Sequence, residues 1–258
     1  MKNYSKRINN LRNRRMDTTF KKAILSDSFS QTNYNESIKY VLESMEPVKA
    51  EYTKNTCSAC ERVQNAIKQK LDNSGYSVEF KYQGSVPLNT HIKLYSDMDQ
   101  LVITNRYESL ERPQIPQYPY SGNPTDDLLR IRNIIVSTIS EKIPSIEIDN
   151  SGAKSISLSG GTLNRNIDVI PANWYRSNKY VETNDQDYMR IQILDKNKKN
   201  RITNFPFMFI WWINHKDSKV NGNLKKLIRF IKTLRADFNE ENKEQIGISS
   251  YDIFLIII

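Results

Sequence analysis

At 258 residues, with 38% hydrophobic and 26% charged residues, the chain is long enough for two sub-domains around a cleft or one large one. No apolar run reaches the ~18 residues of a membrane span, and the basic N-terminus lacks the apolar core of a signal peptide, so a cytoplasmic protein without membrane contact is expected. Net charge is +9, and residues 1–22 supply +7 of it: Lys2, Lys6, Arg7, Arg12, Arg14, Arg15, Lys21 and Lys22 against Asp17. That arm (residues 1–34) suits either nucleic-acid binding or a solvated tail. The rest is close to neutral, so charge alone does not define a dedicated nucleic-acid binder.

Asn35 to Asp72 reads as one or two long helices. Ile38, Val41, Leu42, Met45 and Val48 keep a helical spacing, Val63, Ile67 and Leu71 resume it, and Pro47 lies between as a break or kink. Gly75 stands where a helix C-terminal cap belongs. Cys57 and Cys60 fall inside this helical pattern, and His91 and His215 are far apart, so two reduced structural thiols are expected rather than a zinc or redox site. Val78, Phe80 and Tyr82 then alternate with polar residues as a strand that runs into Gly84-Ser85. A short helix over Leu88 to Leu94 should lead to a second strand, Met98 to Thr104. Four prolines between Ser109 and Pro124 mark a loop. Asp126 to Ile143 reads as an amphipathic helix with Leu128, Ile131, Ile135 and Ile139 inside, stopped by Pro144. Short strands around Ile146 to Leu158 and a Gly160-Gly161 turn follow.

Leu163 to Ile170 is the next expected strand, with Asn164, Asn166 and Asp168 on one face and Leu163, Ile167 and Val169 on the other. Residues 176–203 are polar and read as exposed loops. Phe205 to Ile213, with Trp211 and Trp212, reads as core. Asn223 to Phe238 is expected as a helix with Leu224, Leu227, Ile228, Ile231 and Leu234 inside. Its basic residues Lys225, Lys226, Arg229, Lys232 and Arg235 should lie outside or at a cleft. Ser249 and Asp252 have the spacing of a capping box, so a last helix should start there. Its Ile-Ile-Ile end is read as the end of a truncated fragment.

The chemistry concentrates between Gly84 and Asp99. Gly84 lets the backbone turn sharply and approach a ligand, and Ser85 adds a hydroxyl. Asp97 and Asp99 share one strand face while Met98 points inward. Two carboxylates on one face are hard oxygen ligands suited to Mg²⁺ carrying a nucleoside triphosphate. Asp168, on a strand expected alongside, is the third acid that a two-metal nucleotidyl transfer needs. Gln100 is a polar residue where an apolar one would pack better. The Gly-Ser turn with Asp97-Met98-Asp99 resembles the signature of the polymerase-β nucleotidyltransferase superfamily. Adding Asn166 to Ala172, the Lys232 helix and Ser249-Ser250-Tyr251-Asp252-Ile253, residues 35–258 resemble the bacterial CD-NTases, relatives of cyclic GMP–AMP synthase and oligoadenylate synthase.

That resemblance implies a mixed α+β nucleotidyltransferase palm (35–175) with a central mixed sheet. It also implies a long bridging N-terminal helix and a helical C-terminal lobe (176–258), left incomplete by the truncation. It implies synthesis of cyclic di- or trinucleotide messengers for antiphage signalling. By the same resemblance Asp97, Asp99 and Asp168 would hold two Mg²⁺ ions, with Mn²⁺ an alternative. Gly84 and Ser85 would bind the donor triphosphate, Lys232 and Ser250 its phosphates, and Tyr251 would stack on a base. The implied partners are ATP, GTP, UTP or CTP and a product-sensing effector protein, with nucleic acid not required and a monomer expected. Two other readings stay open: a templateless RNA-tailing transferase with the same acids, and a catalytically silent nucleotide- or RNA-binding module.

Overall fold

Local capping chemistry sets several of the helix limits. The computed structural model describes residues 4–15, 33–92, 96–163 and 165–258. In chain order it contains α1 (Tyr4–Arg15), α2 (Glu36–Met45), α3 (Ala50–Asn73), β1 (Val78–Gln83), β2 (Met98–Leu110), α4 (Pro124–Lys142), β3 (Glu147–Asp149), β4 (Ile156–Ser159) and β5 (Ile167–Arg176). Then come α5 (Asn178–Thr183), β6 (Met189–Asp195), β7 (Asn200–Asn204), α6 (Pro206–Lys219), α7 (Asn223–Glu241) and α8 (Ser250–Ile257). The Asn35 side chain accepts the Ile38 amide at 3.0 Å to open α2, and α3 begins only after Pro47. Beyond α3, Gly75 takes the left-handed conformation expected of it (φ +80°).

Two compact units interleave along the chain: Lys54–Pro87 with Asp97–Trp212, and Met1–Thr53 with Leu88–Ser96 and Ile213–Ile258. The first is built on a seven-stranded mixed sheet ordered β1-β2-β5-β4-β3, with β6 also paired to β5 and β7 to β6. Only the central β2–β5 pair is parallel among the described residues. Because side chains alternate, the sheet has two distinct faces. One carries Met98, Val102, Ile167 and Val169 into the main core with Val63, Ile67 and Leu71 of α3 and Leu128, Ile131, Ile135 and Ile139 of α4. The four α4 residues are fully buried, an upper estimate of about 6–12 kcal/mol of hydrophobic stabilisation. The other face carries a smaller cluster, Leu101, Ile103, Ile170, Ala172, Ile191 and Ile193, with Trp174 and Phe207 against it.

Several expectations are corrected in this unit. β5 starts later than Leu163 and runs through Pro171 to Arg176. A proline survives inside this central strand because it falls between the pairing of β4, which ends at Val169, and that of β6, which begins at Ala172. Asn164 lies outside the described residues. The polar stretch 176–203 is not only loop: it forms α5 and the β6–β7 hairpin, whose outward positions are polar while Met189, Ile191, Ile193 and Leu194 are buried. The aromatic run forms a helix that is core only in part: Ile213 is buried and Phe207 packs on the smaller cluster, while Trp211, and Phe205 just before the helix, are 47% and 41% exposed.

The second unit is helical. Ile8 and Leu11 of α1 pack with Tyr40, Phe230 and Leu234, and Arg7 donates to Glu241 at 2.9 Å. Residues 4–15 of the basic arm are therefore a docked helix rather than a tail, while residues 16–32 lie outside the described part. Tyr40 donates its hydroxyl to the buried Asp237 at 2.7 Å. The face of α7 also departs from expectation: Arg229 and Lys232 are buried with Leu224 and Ile228, whereas Leu227 is exposed. The buried cations serve backbone carbonyls of residues 45 and 89–90, which need donors once removed from water. Those carbonyls belong in part to the segment Leu88–Ser96, where the expected helix is replaced by a turn over 84–89 and irregular chain at 90–92, with 93–95 undescribed. The capping box of α8 forms as expected: Ser249 N–H reaches Asp252 Oδ2 at 2.8 Å and Asp252 N–H reaches Ser249 Oγ at 3.1 Å.

Candidate active site

β1 delivers the chain to its turn directly opposite an acid, since Gln83 pairs with Asp99 in antiparallel register. Gly84 follows with φ +76°. A Cβ at this position would overlap Asp99 Oδ2, so the carboxylate lies on the glycine backbone itself. On the other side of β2, the parallel register aligns Met98 with Ile167 and Asp99 with Asp168. The Met98 amide donates to Asn166 O at 3.0 Å, locking that alignment at its head. Met98, Ile167 and Val169 are fully buried, while Asp99 and Asp168 are half-buried and Asp97, just before β2, is exposed. Asp99 and Asp168 therefore lie on the sheet face opposite the main core, in line with Leu101 and Ile170 of the smaller cluster.

Ser157 is the residue that sequence reasoning missed. It pairs with Asp168 across the antiparallel β4–β5 ladder and its hydroxyl donates to Asp168 Oδ1. This contact leaves Oδ2 for other partners and holds the carboxylate in one orientation. Ser85 is half-buried in the turn after Gly84. Lys232, Ser250 and Tyr251 belong to the helical unit. The Lys232 ammonium is buried and donates to Thr90 O at 3.2 Å and Ser96 Oγ at 3.3 Å. Ser250 Oγ accepts from Arg235 at 3.4 Å, and Tyr251 is 57% exposed.

Among the described residues no three His, Cys, Asp or Glu side chains form a closed metal cage. Asp97, Asp99 and Asp168 nevertheless fit Mg²⁺ by donor type and register. This ion is commonly held by one or two carboxylates plus substrate phosphates, with water completing its shell, rather than by an all-protein cage. Elsewhere, both cysteines are free, and burial pushes the Cys60 thiol up to about 12 and the Cys57 thiol upward as well. His91 is buried and shares a 2.9 Å hydrogen bond with Thr53 Oγ1. No described helix is long and apolar enough to cross a membrane.

A mixed sheet whose Gly-Ser turn meets acids at the heads of two adjacent parallel strands defines a nucleotidyltransferase palm of the polymerase-β type. No protein-family model matches the chain. It is 34% identical to the cyclic dinucleotide synthase CdnE of Yersinia aleksiciae over 231 residues, 89% of this chain and 60% of that one. It is 35% identical to the c-di-GMP synthase of Capnocytophaga granulosa, over 98% of this chain and 76% of the relative. The solved structure of that STING-associated CdnE enzyme superposes with a TM-score of 0.75, covering 99% of this chain and 75% of the other. A STING-associated CdnE c-di-GMP synthase from Flavobacteriaceae sp. gives 0.77 at 28% identity, covering 100% and 78%. The chain belongs to the bacterial CD-NTase family of CdnE-type cyclic dinucleotide synthases. It spans 60% of the length of the Yersinia relative.

Proposed function

We propose that this chain carries the catalytic centre of a cyclic dinucleotide synthase that joins two nucleoside triphosphates with release of two pyrophosphates. The relatives named c-di-GMP synthase point to GTP as the first substrate to test. The observation that carries the reading is the alignment of Asp99 with Asp168 on adjacent parallel strands, with Gly84 under the Asp99 carboxylate. In each of two steps a ribose hydroxyl oxygen bonds to the α-phosphorus of the other nucleotide. The bond to pyrophosphate breaks and the hydroxyl proton leaves to solvent. Asp97, Asp99 and Asp168 would hold two Mg²⁺ ions, or Mn²⁺. Such ions, when bound, lower the pKa of the hydroxyl and neutralise charge on the α-phosphate and departing pyrophosphate.

Gly84 brings backbone close to the donor triphosphate, and Ser85 offers it a hydroxyl. Ser157 orients Asp168 by donating to one of its oxygens. Ser250 is proposed as a phosphate contact and Tyr251, with its ring exposed, as a base-stacking residue. Two solved relatives are STING-associated synthases, so a product-sensing effector of that kind is the proposed partner.

The test is mass spectrometry of products from GTP, ATP, UTP and CTP with Mg²⁺, with and without RNA. A phosphatase-resistant cyclic dinucleotide formed without RNA is expected. Elongated RNA would transfer the chain to the tailing transferases, and Mg²⁺-dependent binding without pyrophosphate release would make it a silent module. Asp97→Ala, Asp99→Ala and Asp168→Ala should each lose at least ~10²-fold in turnover, the scale of losing one strong electrostatic stabiliser. Wild-type product formation by Asp99→Ala would remove the catalytic assignment.

A further inference from the structure

Within the helical unit, α7 ends at Glu241 and the chain turns back to enter α8 at Ser250. Among the described residues no backbone hydrogen bond joins residues 243–248 to any other backbone group. Packing holds this connection no better. A cavity of about 520 Å³ lies between it and α7, lined on one side by Arg235, Ala236 and Asn239 and on the other by Gln245 to Ile248. Ile248 is 41% exposed, and nothing comes within 4 Å of the point where a side chain on Gly247 would begin. Side chains of α7 do the holding instead. Asn239 Oδ1 accepts the Ile246 amide at 2.7 Å and Asn239 Nδ2 donates to Ile246 O at 3.4 Å, so both polar backbone groups of one residue are clasped. Gln245 returns a bond from Nε2 to Asn239 O at 2.9 Å. One turn earlier, Arg235 donates through Nη1 to Ile248 O and through Nη2 to Ser250 Oγ at 3.4 Å. Positions four apart share a helix face, so the connection runs back along α7, with Ile246 against Asn239 and Ser250 against Arg235.

We propose that Arg235 and Asn239 are positioning residues, which clamp the α7–α8 connection and thereby set where Ser250 and Tyr251 meet the nucleotide. α8 has a hold of its own through Ile253 and Phe254, both buried, but these lie toward its middle. Ser250 and Tyr251 stand in its first turn, and the capping box of Ser249 and Asp252 ties that turn only to itself. The entering chain therefore aims the first turn, and the clamp aims the entering chain. A binding group must be held within about 0.5 Å of its productive place by such support. Arg235 and Asn239 act through the backbone and Ser250 rather than on the substrate. The proposal rests on the reading of Ser250 and Tyr251 as nucleotide contacts.

The test uses the full chain with Arg235→Met, Arg235→Lys and Asn239→Ala, and with Tyr251→Ala alongside. Two quantities are read: amide hydrogen exchange over residues 245–252, and kcat and KM for GTP. In Arg235→Met and Asn239→Ala, exchange over 245–252 should speed up roughly tenfold, the scale of losing one or two hydrogen bonds. A group that binds substrate and transition state alike shows its loss in KM, so KM for GTP should rise roughly five- to tenfold with kcat within about twofold of the parent. Arg235→Lys, which keeps a cationic donor, should recover part of both effects. Asn239 is the discriminating position, because its side chain bonds Ile246 and not Ser250. A raised KM in Arg235→Met with an unchanged one in Asn239→Ala would make Arg235 itself a phosphate contact and overturn the proposal. Unchanged exchange in both variants would overturn the clamp, and faster exchange with parental KM would overturn its link to the nucleotide. An unaltered KM in Tyr251→Ala would instead remove the base-stacking contact read above, while the exchange rates would still decide the clamp.

Discussion

Gly84 carries two constraints at once, a positive φ and the Asp99 carboxylate against its α-carbon. An alanine there faces a left-handed penalty of about 1–2 kcal/mol and must also displace an acid. Gly84→Ala should therefore lower turnover by at least ~10-fold while melting only a few degrees earlier, since a cost of that size shifts a domain's midpoint by no more. Steady-state assay and thermal melting check the two halves separately. Ser157→Ala removes the donor that orients Asp168. Roughly tenfold weaker metal dependence is expected, as for other groups supporting a ligand, and a Mg²⁺ titration of turnover measures it. Gly84 and the three acids were legible as candidates from residue type and spacing. Ser157 was not, because its partnership comes from cross-strand register between segments whose pairing no local pattern announces.

At the scale of elements, β2 shows what the strand that carries a candidate acid tolerates. Gln100 lies between Met98 and Val102 on the core face, fully buried, and neither amide atom has a hydrogen-bond partner among the described residues. The polar interruption noted in the sequence therefore costs stability. Gln100→Leu should raise unfolding free energy by about 1–2 kcal/mol in denaturant titration, the cost of a buried unsatisfied polar group. Product formation should stay unchanged, because the side chain lies on the face away from Asp99. α1 is the opposite case, a segment that charge alone left open between nucleic-acid binding and a solvated tail. Ile8 and Leu11 are spaced one helical turn apart and enter the core of the helical unit. Ile8→Ala should cost about 2–4 kcal/mol, as other large-to-small core changes do, where a solvated tail would cost nothing. α7 was legible as a helix but not in its orientation: five apolar and five basic residues allow more than one inward face. The choice fell to the carbonyls of residues 45, 89 and 90, which only a tertiary neighbour could supply.

For the whole molecule, the cysteines report cooperativity in the sheet unit. Cys60 is fully buried in the main core beside Val63 and Ile67. Burial raises its thiol to about 12, so little of the reactive thiolate is present at pH 8. Alkylation of Cys60 at pH 8 should then follow global unfolding, complete in denaturant and negligible in the native state by intact mass. Raising the pH from its ordinary 9.0 towards about 12 should destabilise the fold, since the unfolded chain releases this proton first. By itself the amino-acid sequence determined where most helices and strands lie, which family signature they compose and which residues are proposed to bear the chemistry, because periodicity, caps and glycine turns are encoded within a few positions of one another. Only the tertiary structure decided that Asp99 stands beside Asp168, that Ser157 holds the latter, and that the connection preceding Asp97 is gripped by buried cations. Those contacts join segments tens of residues apart, and their energetics depend on burial, which no single stretch of chain specifies.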